Sequence, residues 1–294
     1  MNYKKIRKVI IAVCLVASVI ISFVRYIERR NYTETVGPSS ITDNYVEFID
    51  VGQGDSALIA SKGKYCLIDT GDKQGFSAIR RTLREKNIKT IDVLIISHYH
   101  ADHTGGLYDI VKEFDVENLI YPATAKDTNI SNDVLYAKKE CLANDGEFYN
   151  AKAGQTINLG DFKLTVLYQS TNLSEENNRS IYLMAKINNK KFLFTGDGEV
   201  NEERQLLKQN LDIYCDVLKV AHHGGSTSTS NEFLNECDPR FAVISCGENN
   251  MYGHPHKETL DRLDFKRIKT YTTTKNGNVI FSVDGNKISV NTEK

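Results

Sequence analysis

Ile91-Asp92-Val93-Leu94-Ile95-Ile96-Ser97-His98-Tyr99-His100-Ala101-Asp102-His103-Thr104-Gly105-Gly106 is the stretch that decides how this chain folds. The apolar run 91–96 reads as a strand covered on both faces. Beyond its end, His98, His100, Asp102 and His103 fall within six residues. His98, His100 and Asp102 share one parity of an extended chain, and His103 joins them as the chain turns. Imidazole suits zinc and other first-row divalent ions, and a carboxylate extends the range toward harder ions. Four such groups beside a core are either strongly solvated or hold metal. Thr104-Gly105-Gly106 opens the next helix at a place that demands close packing, which favours metal.

Working outward, all seven histidines of the chain fall in three short clusters. Between the first and second clusters, the apolar run 192–194 leads into Thr195-Gly196-Asp197-Gly198. Asp197 at a strand end suits a helix N-cap equally well. With the first cluster present, it reads as a ligand. His222-His223-Gly224-Gly225 follows the strand 217–221. Neighbours on a strand point opposite ways, so one of the pair can ligate while the other faces substrate. The reading leans to His222 as the ligand and leaves His223 open. In Tyr252-Gly253-His254-Pro255-His256, His254 is the candidate for touching substrate or protonating a leaving group. His256 precedes a helix at 258–263 and reads as solvated.

Short apolar runs at 45–51, 55–60 and 65–69, split by Gly52-Gln53-Gly54 and ending in Thr70-Gly71, read as consecutive strands. Helical spacing marks 76–86, 107–114, 131–145 and 199–208, with Val134, Leu135 and Leu142 on the apolar side of the third. Further strands are expected at 119–121, 156–159, 163–168, 181–187, 191–195, 217–221, 240–245, 269–273, 278–283 and 287–291. Strand runs outnumber helices, in two strand-rich halves. Stacking two sheets face to face with helices outside would bury both halves.

The chain has 294 residues, 40% hydrophobic and 26% charged, which suits a globular protein with a sizeable core. A net charge of −1 gives no bulk argument for binding nucleic acid or a membrane surface. The six cysteines form no C-x-x-C pair, and Cys66 and Cys215 lie in apolar runs. Cysteine zinc ligands and a disulfide framework are therefore not expected.

Lys4, Lys5, Arg7 and Lys8 precede an apolar run at 9–24, and Arg25, Arg29 and Arg30 follow it. The run is just short of the ~20 residues of a spanning helix, though Tyr26 and the basic side chains can snorkel. With no small-residue cleavage site after it, an uncleaved anchor is favoured over a removed signal. The expected organisation is a signal anchor or transmembrane segment at 1–30, a polar linker at 31–44 and one domain at 45–294. The basic tail would lie inside and the domain outside the cell membrane. Secretion after cleavage is the alternative.

Taken together, these residues resemble the metallo-β-lactamase superfamily, whose specific mark is H-x-H-x-D-H after a buried strand. A closer likeness, over about residues 45–285, is to the hydrolase domain of ComEC-type competence proteins. It is carried by Phe48-Ile49-Asp50-Val51-Gly52-Gln53-Gly54-Asp55-Ser56, by the first histidine cluster, and by Asn178-Arg179-Ser180. It is carried also by Thr195-Gly196-Asp197-Gly198-Glu199, by Leu218-Lys219-Val220-Ala221-His222-His223-Gly224, and by Asn250-Met251-Tyr252-Gly253-His254-Pro255. A role in DNA uptake is not carried over with it.

The resemblance implies an α/β, four-layer αββα sandwich and a centre of two divalent ions, zinc with manganese as the alternative. His98 and His100 would hold one ion. Asp102, His103 and His222 or His223 would hold the other. Asp197 would bridge, Asp69 would orient a ligand from behind, and His254 would protonate the leaving group. A hydroxide held between the ions would attack a phosphodiester. Nucleic acid comes first as substrate, with wall-polymer or phosphorylcholine esters behind it. Lys219 and the glycine turn after His223 could meet phosphate. No obligatory protein partner is inferred. The alternatives are hydrolysis of another ester or amide, such as a β-lactam or thioester, and a non-hydrolytic metal-binding module. One departure from the family stands out: no histidine lies between His103 and His222. Asn178 and Ser180 fall in that interval as candidate residues lining the site.

Overall fold

The computed structural model describes residues 3–30, 42–123, 132–170 and 175–294. The first half of the chain forms α1 (Tyr3–Arg30), β1 (Asn44–Phe48), β2 (Ala57–Ser61), β3 (Lys64–Ile68), α2 (Phe76–Glu85), β4 (Thr90–Ile91), β5 (Val93–Ile95), α3 (Ala101–Thr104), α4 (Leu107–Glu113), β6 (Asp115–Val116), β7 (Asn118–Tyr121), α5 (Asn132–Ala143) and β8 (Glu147–Asn150). The second half forms β9 (Thr156–Leu159), β10 (Phe162–Gln169), β11 (Ile181–Ile187), β12 (Lys190–Phe194), α6 (Val200–Leu207), β13 (Val217–Lys219), α7 (Asn231–Cys237), β14 (Phe241–Ile244), α8 (Lys257–Phe265), β15 (Lys269–Thr272), α9 (Thr273–Asn276), β16 (Val279–Asp284) and β17 (Lys287–Thr292).

The strands build one sheet in the order β17-β16-β1-β2-β3-β5-β7-β8 and another in the order β15-β14-β13-β12-β11-β10-β9. A short β4-β6 pair stands beside them. Apolar residues of both inner faces, among them Phe48, Ile59, Phe162, Phe192 and Phe281, meet in one core. A second core lies between the first sheet and α2, α4 and α5, and a third between the second sheet and α6, α7 and α8. The result is the helix–sheet–sheet–helix layering expected from two strand-rich halves.

Register places the site. β3 runs parallel to β5 with Ile68 beside Ile95, so Asp69 and Ser97 leave the sheet at the same edge. In the second sheet β12, β13 and β14 are parallel, with Leu193 beside Leu218 and Lys219 beside Val243. Thus Asp197, His222, His223 and Ser245 leave at one edge too. The two edges face each other, since Ile181 N donates to Ser97 O at 3.0 Å. Carboxyl ends of parallel strands are where open α/β sheets carry ligands.

Several expectations need correction. The strand expected at 91–96 is two pieces: Asp92 accepts a bond from Tyr65 N at 2.8 Å, separating β4 from β5. On α5, Val134, Ala137 and Cys141 are buried, while Leu135 and Leu142 are exposed. The small Ala137 and Cys141 let the helix approach the sheet, so the buried stripe follows their side. β8 and α7 were not anticipated; Ser230 caps α7 by accepting from Phe233 N at 3.1 Å.

The N-terminal expectation is overturned. Residues 3–30 do form α1, but no helix among the described residues is long and apolar enough to cross a membrane. The apolar run at 9–24 is too short for ~20 residues of hydrocarbon, and charged residues crowd both its ends. The single-pass membrane anchor falls, and with it the extracytoplasmic placement that rested on it. The expected linker at 31–44 lies outside the described residues as far as residue 41, and Asn44 already opens β1.

Candidate metal centre

Asp69 ends β3 in left-handed backbone, φ 59°, a conformation that costs about 1–3 kcal/mol unless its surroundings enforce it. They do: Asp69 N donates to Ile95 O at 2.8 Å and Ser56 Oγ donates to Asp69 O at 3.1 Å. The turn aims the carboxylate beneath the histidine cluster. Ser97 donates to it twice, from N at 2.7 Å and from Oγ at 2.6 Å. His103 Nδ1 stands 2.9 Å from Asp69 Oδ2. The proton on Nδ1 is thereby fixed, and the Nε2 lone pair faces outward.

His223 is oriented in the same way by a different partner. Its Nδ1 donates to Ser245 O at 2.9 Å, leaving Nε2 toward the cluster. Asp55 lies behind it, with Oδ1 3.2 Å from Nδ1. Asp55 is itself paired with Lys219, whose Nζ is 2.7 Å from Oδ2, both side chains being buried. Lys219 Nζ also donates to Val220 O at 2.9 Å. The expectation that Lys219 meets phosphate therefore fails: its charge is used inside, against a carboxylate.

His222 and His223 exchange the roles expected of them. Both take left-handed backbone, φ 51° and 52°. Strand alternation no longer governs them, because β13 has already ended at Lys219. His223 turns into the cluster. His222 turns to the cleft wall, its Nδ1 3.7 Å from Glu199 Oε1 and its Nε2 3.4 Å from Asn177 Nδ2.

Asp197 sits at the centre. Its Oδ2 is 3.4 Å from Nε2 of both His103 and His223, and 3.8 Å from His98 Nε2. Asp102 lies 3.0 Å from His223 Nε2 and 3.9 Å from His103 Nε2. His98 Nε2 is 3.2 Å from His100 Nδ1. Among the described residues, four groups of three could each hold a cation, two of them without a shared residue and facing the cleft: His98, His100 and Asp197, and Asp102, His103 and His223. Asp55 offers oxygens to the margin of both His103 and His223.

The donor chemistry fits divalent ions. His103 Nε2, His223 Nε2, Asp197 Oδ1 and Asp55 Oδ1 are buried and make no hydrogen bond. Leaving such atoms bare costs about 1–3 kcal/mol each. Ligands about 2.0–2.2 Å from a tetrahedral ion stand about 3.3–3.6 Å apart, close to the spacings around Asp197. The electrostatics agree. Burial alone would raise the carboxyl of Asp197, but His223 and His103 hold it well below the usual range. Burial would lower His103, but Asp197 and Asp69 push it well above the usual imidazole range. The carboxylates thus call for positive charge at this spot. His98 is held well below its usual value, first by burial and then by His103, so its lone pair stays free.

Asn178 and Ser180 do not line the cleft. Ser180 Oγ accepts from Asp197 N at 2.9 Å, and Asn178 Oδ1 accepts from Glu199 N at 3.2 Å. They hold the Asp197 turn from behind. Gly196 allows this, since a Cβ there would crowd Ser180 Oγ at 2.7 Å.

Above the cluster opens a cleft of about 560 Å³, lined by Gln53, His100, Asp102, His222, Tyr252 and His254 among others. His254 reaches it with its ring 6.1 Å from that of His223. Burial first, then His222 and His223, lower its pKa to about 4. It is neutral at pH 7, so the proton-donor role expected for it loses its basis; its ring can offer or accept a hydrogen bond instead. His256 is half-buried and hydrogen-bonded rather than simply solvated. Its Nδ1 accepts from Ser226 N at 3.0 Å and its Nε2 donates to Tyr252 O at 3.0 Å.

Asp55, Ser97 and Ser245 carry weight that sequence reasoning missed. The available signal was Asp55 itself, a lone carboxylate just ahead of the fully buried strand β2. Gly54 beside it is obligatory: at φ 124°, a Cβ would run into the Asp102 carbonyl.

Comparison with known proteins agrees with this geometry. The family model described as the metallo-beta-lactamase superfamily matches residues 49–131. ComE operon protein 3 of Bacillus subtilis (strain 168) is 30% identical over 263 residues, covering 82% of this chain and 33% of that protein. Endoribonuclease ysh1 of Schizosaccharomyces pombe (strain 972 / ATCC 24843) is 27% identical over 204 residues, covering 61% of this chain and 26% of that protein. The chain thus spans about a third or less of the length of these curated relatives. Among solved structures, the metallo-beta-lactamase fold protein YhfI from Bacillus subtilis superposes with a TM-score of 0.55 at 12% identity, covering 81% of this chain and 99% of that one. At that identity the likeness speaks for the fold.

Proposed function

The chain belongs to the metallo-β-lactamase superfamily, and from that premise we propose that it is a metal-dependent phosphodiesterase with nucleic acid as its first substrate. One observation carries the reading: Asp197 and His223, each with a buried atom that makes no hydrogen bond, line an open cleft, and the unpartnered Nε2 of His103 stands 3.4 Å from Asp197. The kinship with a protein whose name is endoribonuclease favours phosphodiesters over β-lactams.

In this reading His98, His100 and Asp197 would hold one divalent ion, and Asp102, His103 and His223 would hold the other. Bound there, such ions lower the pKa of water and polarise an ester oxygen. The chain's own groups do the rest. Asp69 and Ser245 fix which nitrogen of His103 and His223 faces the ions. Ser180 fixes the Asp197 backbone. Neutral His254, at the cleft wall, offers a hydrogen bond to a substrate oxygen.

The test is a substrate panel. The purified full chain, supplied with zinc or with manganese, is assayed on single- and double-stranded DNA, RNA, bis-p-nitrophenyl phosphate and nitrocefin. Cleavage of phosphodiesters that Asp102→Ala abolishes is the expected result. Turnover of nitrocefin alone, or unchanged activity in that variant, overturns the proposal.

A further inference from the structure

The cleft is polar at its floor and apolar at its lip. Met251 and Tyr252 line it, yet they are 87% and 57% exposed. The segment that carries them is firmly held. The Asn250 amide donates to Gly247 O at 2.9 Å and to His254 O at 2.6 Å, and its Oδ1 accepts from His254 N at 3.0 Å. Gly247 N is anchored across the cleft on Gln53 Oε1 at 3.1 Å. His256 Nε2 grips the Tyr252 carbonyl. Side chains left exposed on a clamped loop are pre-organised to meet something, and here they border a functional cleft.

The ring geometry narrows what they meet. One face of Tyr252 is covered by His254, with centroids 5.7 Å apart and planes 23° from parallel. With Tyr252 57% exposed, the rest of the ring stays open to solvent. His254 in turn neighbours His223, a member of the cluster. The open ring therefore stands one imidazole away from the ions' place. A phosphodiester on the floor would send its sugar and base outward, toward this lip.

We infer that Tyr252, with Met251 beside it, is the stacking platform for the base next to the scissile phosphate, and that the substrate is a single-stranded nucleic acid. This rests on the phosphodiester reading above. A base inside a duplex has both faces covered, whereas an unpaired base offers a free face to an aromatic ring. Wall-polymer esters of glycerol or choline carry no flat π face and gain nothing from such a platform.

The experiment uses the manganese-loaded full chain as wild type, Tyr252→Ala and Tyr252→Phe. Fluorescence anisotropy gives the Kd for single-stranded oligothymidylate and for an abasic strand of equal length, and cleavage of both is followed in parallel. Wild type binds the base-bearing strand about tenfold more tightly or better, as one stacked base allows. Tyr252→Ala brings that ratio near one, and Tyr252→Phe keeps it. Being exposed, the side chain can be removed without unfolding the chain, and thermal unfolding checks this. A wild-type ratio near one, a ratio unchanged in Tyr252→Ala, or a ratio lost in Tyr252→Phe overturns the platform. Failure of wild type to cleave either strand counts against the phosphodiesterase reading instead, while the binding ratio still decides the role of Tyr252.

Discussion

Lys219 and Asp55 form an ion pair of 2.7 Å sealed between the two sheets, directly behind the ring of His223. Taking two charges out of water is costly, and their attraction repays it only while both are present. Lys219→Met should therefore destabilise the chain by about 3–5 kcal/mol, because the Asp55 carboxylate is left buried and uncompensated. Adding Asp55→Asn should recover part of that loss. Urea unfolding of the two single variants and the double variant measures the coupling. Additive effects would show that the pair is not one unit.

Asp102 bears on the second group of three ligands. Asp102→Ala should lower bound metal from two equivalents toward one and cut kcat/KM on a phosphodiester at least about a hundredfold, several kcal/mol of charge stabilisation being at stake. Chelation should abolish the activity, and zinc or manganese should restore it. Full metal content in the variant, by elemental analysis, would remove Asp102 from the ligand set.

Asp69 acts through His103. Asp69→Asn keeps the size of the side chain but removes the charge opposite Nδ1. Metal affinity should fall about 10–100-fold, the usual cost of losing such a partner. Competition against a chromogenic chelator reads this directly, and an unchanged affinity speaks against the orienting role.

His254 sets a pH dependence. Its folded pKa is lowered to about 4, against the usual imidazole value near 6.5. Between those values the unfolded chain binds the proton and the folded chain does not. Folding stability should fall as pH drops from about 6.5 to 4 and flatten below that. In chelator-treated protein, His254→Gln should show a shallower loss of thermal stability over this window. Parallel curves for the two proteins would reject the assignment.

Much of the candidate site was legible because its first candidate donors are local. His98, His100, Asp102 and His103 come from one turn after a buried strand, where closely spaced imidazoles and a carboxylate beside a core serve best as metal ligands. Asp197 followed from the same logic at β12. What lay hidden depends on contacts between distant segments. Asp55 belongs to a glycine turn, and nothing nearby in sequence says that Lys219 will bury against it. The choice between His222 and His223 could not come from strand alternation, since left-handed backbone had replaced the strand. Asn178 and Ser180 carried the right polarity but serve the Asp197 turn from its far side. The layering of sheets and helices was legible from period-two runs. The N-terminal helix misled because its apolar character was clear, while its apolar run at 9–24 is too short to cross a membrane.

The cluster draws His98, His100, Asp102 and His103 from the edge of one sheet and Asp197 and His223 from the edge of the other. The group His98, His100 and Asp197 and the group Asp102, His103 and His223 each take a member from both halves of the chain. A cation seated here therefore acts as a clasp across the two layers, and it can close only after the last of them has been synthesised and docked. Loading then reports that assembly is finished. Prying the layers apart should release both ions together, in a single cooperative event.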